Sequence, residues 1–247
     1  MSLLTSIHTG RTAQPPRLMV YGQEGVGKST FAAQAPEAVF IQTEDGLGQI
    51  DCAKFPLCET FRDVLAQLTD LRDEAHDFKT VALDSLDWLE RLIHDDICSA
   101  YGVNSIEKAD GGYGKGYVHA LTHWRTVLGL LDDLRARGMA IILLAHAKIE
   151  RFEDPENPAY DRYLPRLHKT ASALITEWAD AVLFAQRRLR VSKEGQRTVA
   201  APIGPDGGER LLRTVGGPGC VAKNRYALPS ELPLNFEALL PHLTPNA

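Results

Sequence analysis

Gly22-Gln23-Glu24-Gly25-Val26-Gly27-Lys28-Ser29 fits the pattern GxxxxGK[ST] at every fixed position. Glycines at this spacing let successive backbone N–H groups converge on phosphate oxygens, and the N-terminus of a following helix adds a favourable dipole. Lys28 would reach the β- and γ-phosphates, and the Ser29 hydroxyl would ligate Mg2+. Together with Thr30, the segment Gly22–Thr30 is the candidate site for ATP and Mg2+. Such a match arises by chance in roughly one chain of this length in a hundred. Its context sharpens it, because the short apolar run Arg17–Tyr21 feeds the loop and Lys28–Ala35 reads as the start of a helix.

A second Mg2+ contact is expected from an acid that ends a hydrophobic strand. Thr80-Val81-Ala82-Leu83-Asp84 supplies it, so Asp84 is the candidate Walker B residue; the alternative is a strand-end aspartate capping the next helix. Around these two motifs the chain alternates strand and helix, which predicts an α/β fold with a mainly parallel sheet. Val39–Thr43 reads as the second strand, Phe61–Glu74 as an amphipathic helix, and Ser85 toward Tyr101 as another. Gly102–Gly116 reads as a glycine-rich polar loop, Val118–Arg137 as a helix and Met139–Ala145 as the fourth strand. A second long polar loop, Lys148–Pro165, precedes a helix around Leu167–Trp178. After Asp180 the period becomes strand-like in Ala181–Arg190, Arg197–Pro202 and Arg210–Val215. One domain is expected over 17–247, with antiparallel C-terminal strands and an extension over 1–16.

The composition agrees with such a domain. Of 247 residues, 44% are apolar and 24% charged, ordinary globular values that exclude a disordered or membrane-embedded chain. The longest apolar run is too short to span a bilayer, and the first residues, with His8 and Arg11, lack an apolar export segment. Cys52, Cys58, Cys98 and Cys220 show no metal spacing and read as reduced thiols of a cytoplasmic protein. The net charge of −5 argues against wholesale nucleic-acid binding. It is unevenly spread: Arg187–Arg225 holds nine basic residues against three acids, so this stretch is +6 and the remainder −11. A basic C-terminal third is compatible with an anionic partner on one face, and equally with a solvated hairpin.

Asp84 is followed by Ser85, so the catalytic Glu that AAA+ enzymes carry there is missing. Glu44, after the second strand in Phe40-Ile41-Gln42-Thr43-Glu44-Asp45, is the expected general base, with Asp45 or Asp87 as the fallback. At this point the sequence resembles the RecA-like ATPases, whose base follows the strand after the P-loop helix. Leu83-Asp84-Ser85 matches that family's Walker B segment. His146, after Leu143-Leu144-Ala145, stands where the family places a polar residue that senses the γ-phosphate. Gly102–Gly116 and Lys148–Pro165 correspond to its two DNA-binding loops. Val221-Ala222-Lys223-Asn224-Arg225 resembles the basic segment that relatives extend toward a neighbour's nucleotide.

The resemblance covers roughly 17–229 and is nearest to phage-encoded RecA-like ATPases of the single-strand-annealing recombinase type. It implies ATP hydrolysis coupled to single-stranded DNA, with Lys28, Glu44 and His146 acting in one subunit of a homo-oligomer and Lys223 and Arg225 acting on its neighbour. Two departures stand out: no large N-terminal oligomerisation segment, and a histidine, His146, where RecA has glutamine. Tyr113 and Tyr117, among Gly111, Gly112, Gly114 and Gly116, are candidates for stacking on bases or for packing the loop onto the body. Lys148–Pro165 has five acids against three bases, poor material for phosphate, although Arg166, His168 and Lys169 follow. Trp88, Trp124 and Trp178 read as core. A nucleotide switch or partner-binding ATPase without DNA affinity, and a small-molecule P-loop kinase, are the alternative functions.

Overall fold

The computed structural model describes residues 3–7, 9–10, 14–194, 197–204 and 207–243, so His8 and Arg11 lie outside the described residues. After a 3-10 turn at Leu3–Ser6 the chain runs β1 (Arg17–Gly22), α1 (Lys28–Ala33), β2 (Ala38–Gln42), β3 (Ala53–Lys54), α2 (Phe61–Asp73), β4 (Thr80–Asp84) and α3 (Leu86–Tyr101). A 3-10 segment (Ile106–Gly111), α4 (Lys115–Ala136), β5 (Ala140–Phe152), β6 (Tyr160–Pro165) and α5 (Lys169–Trp178) follow. The chain ends in β7 (Ala181–Arg187), β8 (Leu189–Glu194), β9 (Arg197–Pro202), β10 (Arg210–Arg213), β11 (Lys223–Asn224), β12 (Glu231–Pro233) and α6 (Phe236–Leu243).

Strands β3, β2, β4, β5, β1 and β7 lie side by side in that order, all parallel. β10 and β12 extend the sheet antiparallel beyond β7, and β11 pairs antiparallel with the start of β7. Both faces of the parallel strands inside the β3 edge are covered, which is why they read as continuous apolar runs. Met19, Tyr21, Leu83 and Leu143 pack toward a core that includes residues of α2, α3, α4 and α5. Leu18, Val20 and Leu144 pack toward Phe31 of α1 and Phe236 of α6. The sheet is therefore a mainly parallel one flanked by helices, with an antiparallel C-terminal edge, as expected.

The register positions the site. β5 separates β1 from β4, pairing Gly22 with His146 on one side and Leu144 with Asp84 on the other. Gln42 pairs with Asp84, and Gly22 also pairs with Ala185. The C-terminal ends of β1, β2, β4 and β5 thus open on one edge of the sheet, where ligands of open α/β folds bind.

Several sequence expectations need correction. Gly102–Gly116 is no open loop: it contains a 3-10 segment whose Ile106 and Ala109 are buried. Gly116 packs so tightly there that a Cβ would stand 2.1 Å from the Ile106 carbonyl oxygen. Lys148–Pro165 is a ribbon in which β5 runs on past the sheet and pairs with β6 from Ala147↔Pro165 to Phe152↔Tyr160. Ala181–Arg190 divides at Arg188, whose N–H leaves for the Glu209 carbonyl. Trp124 is buried as expected, but Trp88 is 36% exposed beneath Arg91, and Trp178 is half-buried with its ring N–H on Asp132. The four cysteines are free, Cys58 and Cys220 buried. Among the described residues no helix is long and apolar enough to cross a membrane.

Candidate nucleotide site

Each fixed position of the loop has a structural cause. A Cβ on Gly22 would stand 2.2 Å from the Ala185 carbonyl oxygen of β7, so only glycine lets β1 leave the sheet there. Gly25 and Gly27 have φ of +68° and +105°, the left-handed region that turns the backbone into α1. Lys28 opens α1 and is buried, with its Nζ donating to the Gly22 and Gln23 carbonyls at 3.1 Å each. Burial lowers its pKa, while Asp84 and the neighbouring carboxylates oppose that shift.

Ser29 Oγ donates to Asp84 Oδ2 at 2.5 Å. Asp84 is therefore aimed at the loop and not at the helix it precedes; α3 takes Ser85 as its N-cap. Burial raises the Asp84 pKa, Ser29 works against that, and the nearby Glu44 carboxylate adds to it. Such an acid gains its charged form when a cation arrives. A hydroxyl and a carboxylate already in contact, beside a loop whose glycines turn the backbone into α1, fit Mg2+ and a phosphate chain.

Glu44 follows β2 and is fixed by β4. The Thr43 and Glu44 N–H groups both donate to the Asp84 carbonyl, at 2.7 and 3.4 Å. Thr43 Oγ1 donates to the Ser85 carbonyl and accepts from the Ser85 N–H, at 2.7 and 2.9 Å. Ser85 Oγ then donates to Glu44 Oε2 at 3.2 Å. The Asp84–Ser85 peptide is cis. The carboxylate of Glu44 remains partly open to a cleft of about 310 Å3 that it shares with Lys28, Ser29, Thr30, Asp84 and His146.

His146 is buried at the turn-off of β5. Its backbone N–H and its ring Nδ1 both lie 3.0 Å from Asp87 carboxylate oxygens, and Nδ1 is 3.9 Å from Glu44. Burial works against a charged Asp87, yet the bonds from His146 outweigh it and hold the carboxyl below the usual range. Asp87 is thus engaged by His146. With Nδ1 committed, Nε2 is the ring atom left to meet another group.

Lys223 and Arg225 are not brought into this cleft. β11 lies against the start of β7, with Lys223 opposite Val182, whereas the loop lies against its end. Lys223 Nζ donates to the Thr176, Glu177 and Ala179 carbonyls at 2.9, 2.6 and 2.6 Å, closing the end of α5. Arg225 pairs with Asp180 at 3.3 Å and its side chain is 55% exposed. Between the 3-10 segment and α4, Tyr113 is 99% exposed, while Tyr117 of α4 lies flat on His168 with ring centroids 4.0 Å apart.

Three arginines reach the loop that sequence reasoning did not place there. Arg166, just past β6, pairs with Glu24. Arg187 donates to the Gly25 carbonyl at 3.3 Å, and Arg210 of β10 lines the cleft beside Gly27. The signal for Arg187 and Arg210 was the basic excess of 187–225, and for Arg166 its place just after the acidic ribbon. A strand that returns antiparallel to β7 necessarily brings its first residue to the loop end of the sheet.

The model of one protein family, the AAA domain, matches residues 14–226, a span that contains every cleft residue named above. The chain belongs to this family. The AAA domain here carries the phosphate loop on a mainly parallel sheet, with β5 between the phosphate-loop strand and the Asp84 strand. No curated protein matches the sequence. Solved structures similar to this AAA domain include the flagellar accessory protein FlaH of Methanocaldococcus jannaschii, at 10% identity and a TM-score of 0.41 over 88% of this chain and 84% of that one. A KaiC-like protein of Pyrococcus horikoshii is similar at 14% identity and a TM-score of 0.41, over 81% of this chain and 79% of that one.

Proposed function

We propose that the chain binds Mg-ATP in the cleft at Gly22–Thr30 and hydrolyses it with Glu44 as general base. The observation that carries this reading is the Glu44 carboxylate, held by Ser85 and facing the same cleft as Lys28, Ser29 and Asp84. Glu44 takes a proton from water as the water oxygen attacks the γ-phosphorus, and the bond to the β–γ bridging oxygen breaks to leave ADP and phosphate. Ser29 and Asp84 would hold Mg2+, which when bound offsets phosphate charge. Lys28 swings from the Gly22 and Gln23 carbonyls to phosphate oxygens, the stronger acceptors. His146, oriented by Asp87, senses the terminal phosphate. The test is Glu44→Gln: nucleotide binding persists and turnover falls by about two orders of magnitude or more. Unchanged turnover removes Glu44 from this role.

We further propose that turnover is coupled to single-stranded DNA in phage-type recombination or annealing. Support comes from the ordered resemblance to RecA-like ATPases and from Tyr113, an exposed ring flanked by Lys108 and Lys115. The acidic β5–β6 ribbon favours the second reading, a nucleotide-dependent partner-binding ATPase, because its five acids would repel phosphate.

A further inference from the structure

Arg210 stands against the phosphate loop from outside the motif. It opens β10, which runs antiparallel to β7 and pairs Arg210 with Arg187. The backbone is held at that point: the Leu234 N–H donates to the Arg210 carbonyl at 3.0 Å, so the side chain projects from a fixed strand. Its guanidinium lies over Gly27, with one terminal nitrogen 2.9 Å from where a Cβ of that residue would be. Gly27 immediately precedes Lys28, whose N–H belongs to the row that receives phosphate oxygens. Arg210 thus lines the same cleft as Lys28, Ser29 and Glu44. No carboxylate of the described residues forms an ion pair with it. Its neighbour Arg187 is differently employed, on the Gly25 and Gly207 carbonyls at 3.3 and 2.8 Å.

We infer that Arg210 is a phosphate-binding residue of the chain's own cleft, donating to the phosphate chain of the bound nucleotide. This rests on the ATPase reading above and adds a second cation to Lys28, supplied by the antiparallel edge of the same subunit. The requirement for glycine at 27 gains a second cause, since any side chain there would displace the guanidinium. A planar guanidinium suits the task because it offers a fork of donors to two phosphate oxygens at once. The C-terminal strands thereby become part of the nucleotide site and not an appendage to it.

The test measures binding of a fluorescent ATP analogue and of ADP, with Mg2+, to the full chain, together with phosphate release. Arg210→Ala should weaken binding by about tenfold or more, the scale of a lost charge-assisted hydrogen bond, and Arg210→Lys should recover part of it. Thermal melting without nucleotide should be unchanged in both variants. Mixing Arg210→Ala with Lys28→Ala subunits should give no more activity than the two measured separately, because neither subunit then owns a complete cleft. Wild-type affinity in Arg210→Ala, or activity above that sum on mixing, overturns the assignment. A wild-type chain that binds no Mg-nucleotide overturns the ATPase reading itself, and with it this one.

Discussion

The chemistry of the cleft depends on how carboxylates are kept apart in their duties. Asp84 is turned to Ser29, Glu44 is presented by Ser85, and Asp87 is consumed by His146. The last pairing gives a pH-dependent prediction. Hydrogen bonds hold Asp87 below its usual pKa despite burial, so its stabilisation is present above the unfolded value and is lost as pH falls through the folded one. Asp87→Asn should therefore destabilise the chain by about 1–3 kcal/mol near neutrality, and the difference from wild type should close in acid. Urea unfolding at several pH values measures it; a difference that persists unchanged in acid refutes the role given to Asp87. At this scale the sequence was informative where chemistry is contiguous. Gly22–Ser29 announces itself, and Asp84 and Glu44 follow as acids at strand ends. Asp87 as the orienting partner of His146, and Arg210 beside Gly27, were hidden because helix docking and an antiparallel return bring together residues 59 and 183 positions apart.

Among the elements, α3 carries two acids one turn apart that face inward, Asp87 and Glu90. Glu90 accepts the His168 N–H at 2.9 and 3.1 Å, fixing the entry to α5 from across the core. Burial raises its pKa to about 7, with the His168 bond and Lys148 opposing and Asp87 reinforcing. Since the folded chain holds this proton more tightly than the unfolded one, the contribution is full below pH 4.5 and declines as pH rises toward 7. The decline is at most about 3 kcal/mol. Glu90→Gln keeps an acceptor for His168 but does not titrate, so its stability relative to wild type should climb over that window. Parallel unfolding curves for the two proteins across it would contradict this. The parallel strands were legible because burial on both faces writes apolar runs. The β5–β6 ribbon was not, since its apolar residues are partly exposed: Ile149 is 57% and Phe152 38% exposed, and charged residues fill the positions between. Gly102–Gly116 misled for another reason: Gly102, Gly111 and Gly114 supply positive φ for turns, and Gly116 permits close packing onto Ile106.

For the whole molecule, the sheet puts its two basic outposts at opposite ends. Arg210 and Arg187 stand at the phosphate loop, while Lys223 and Arg225 stand at the far end of β7. Lys223 is occupied by three carbonyls, so Arg225, half exposed, is the member able to reach a neighbour. In a head-to-tail assembly, Arg225→Ala should bind ATP yet hydrolyse it poorly, and mixing it with Lys28→Ala subunits should restore activity at about a quarter of interfaces. A mixture as inactive as its components, despite subunit exchange, would show that Arg225 serves only its own Asp180. Single-stranded DNA should bind with little sequence preference, more weakly as salt rises, and Tyr113→Ala should cost about 1–3 kcal/mol. Gel shifts that stay empty at low salt, with and without ATP, would favour the partner-binding reading.

The central claim is that this cleft turns over Mg-ATP. Phosphate release by the wild-type chain and by Lys28→Ala, each with and without single-stranded DNA, tests it most directly. The wild type should release phosphate in proportion to chain concentration and only with Mg2+, and Lys28→Ala should lose both nucleotide binding and release. A wild-type chain that releases none under either condition, or a Lys28→Ala variant that matches it, would contradict the account.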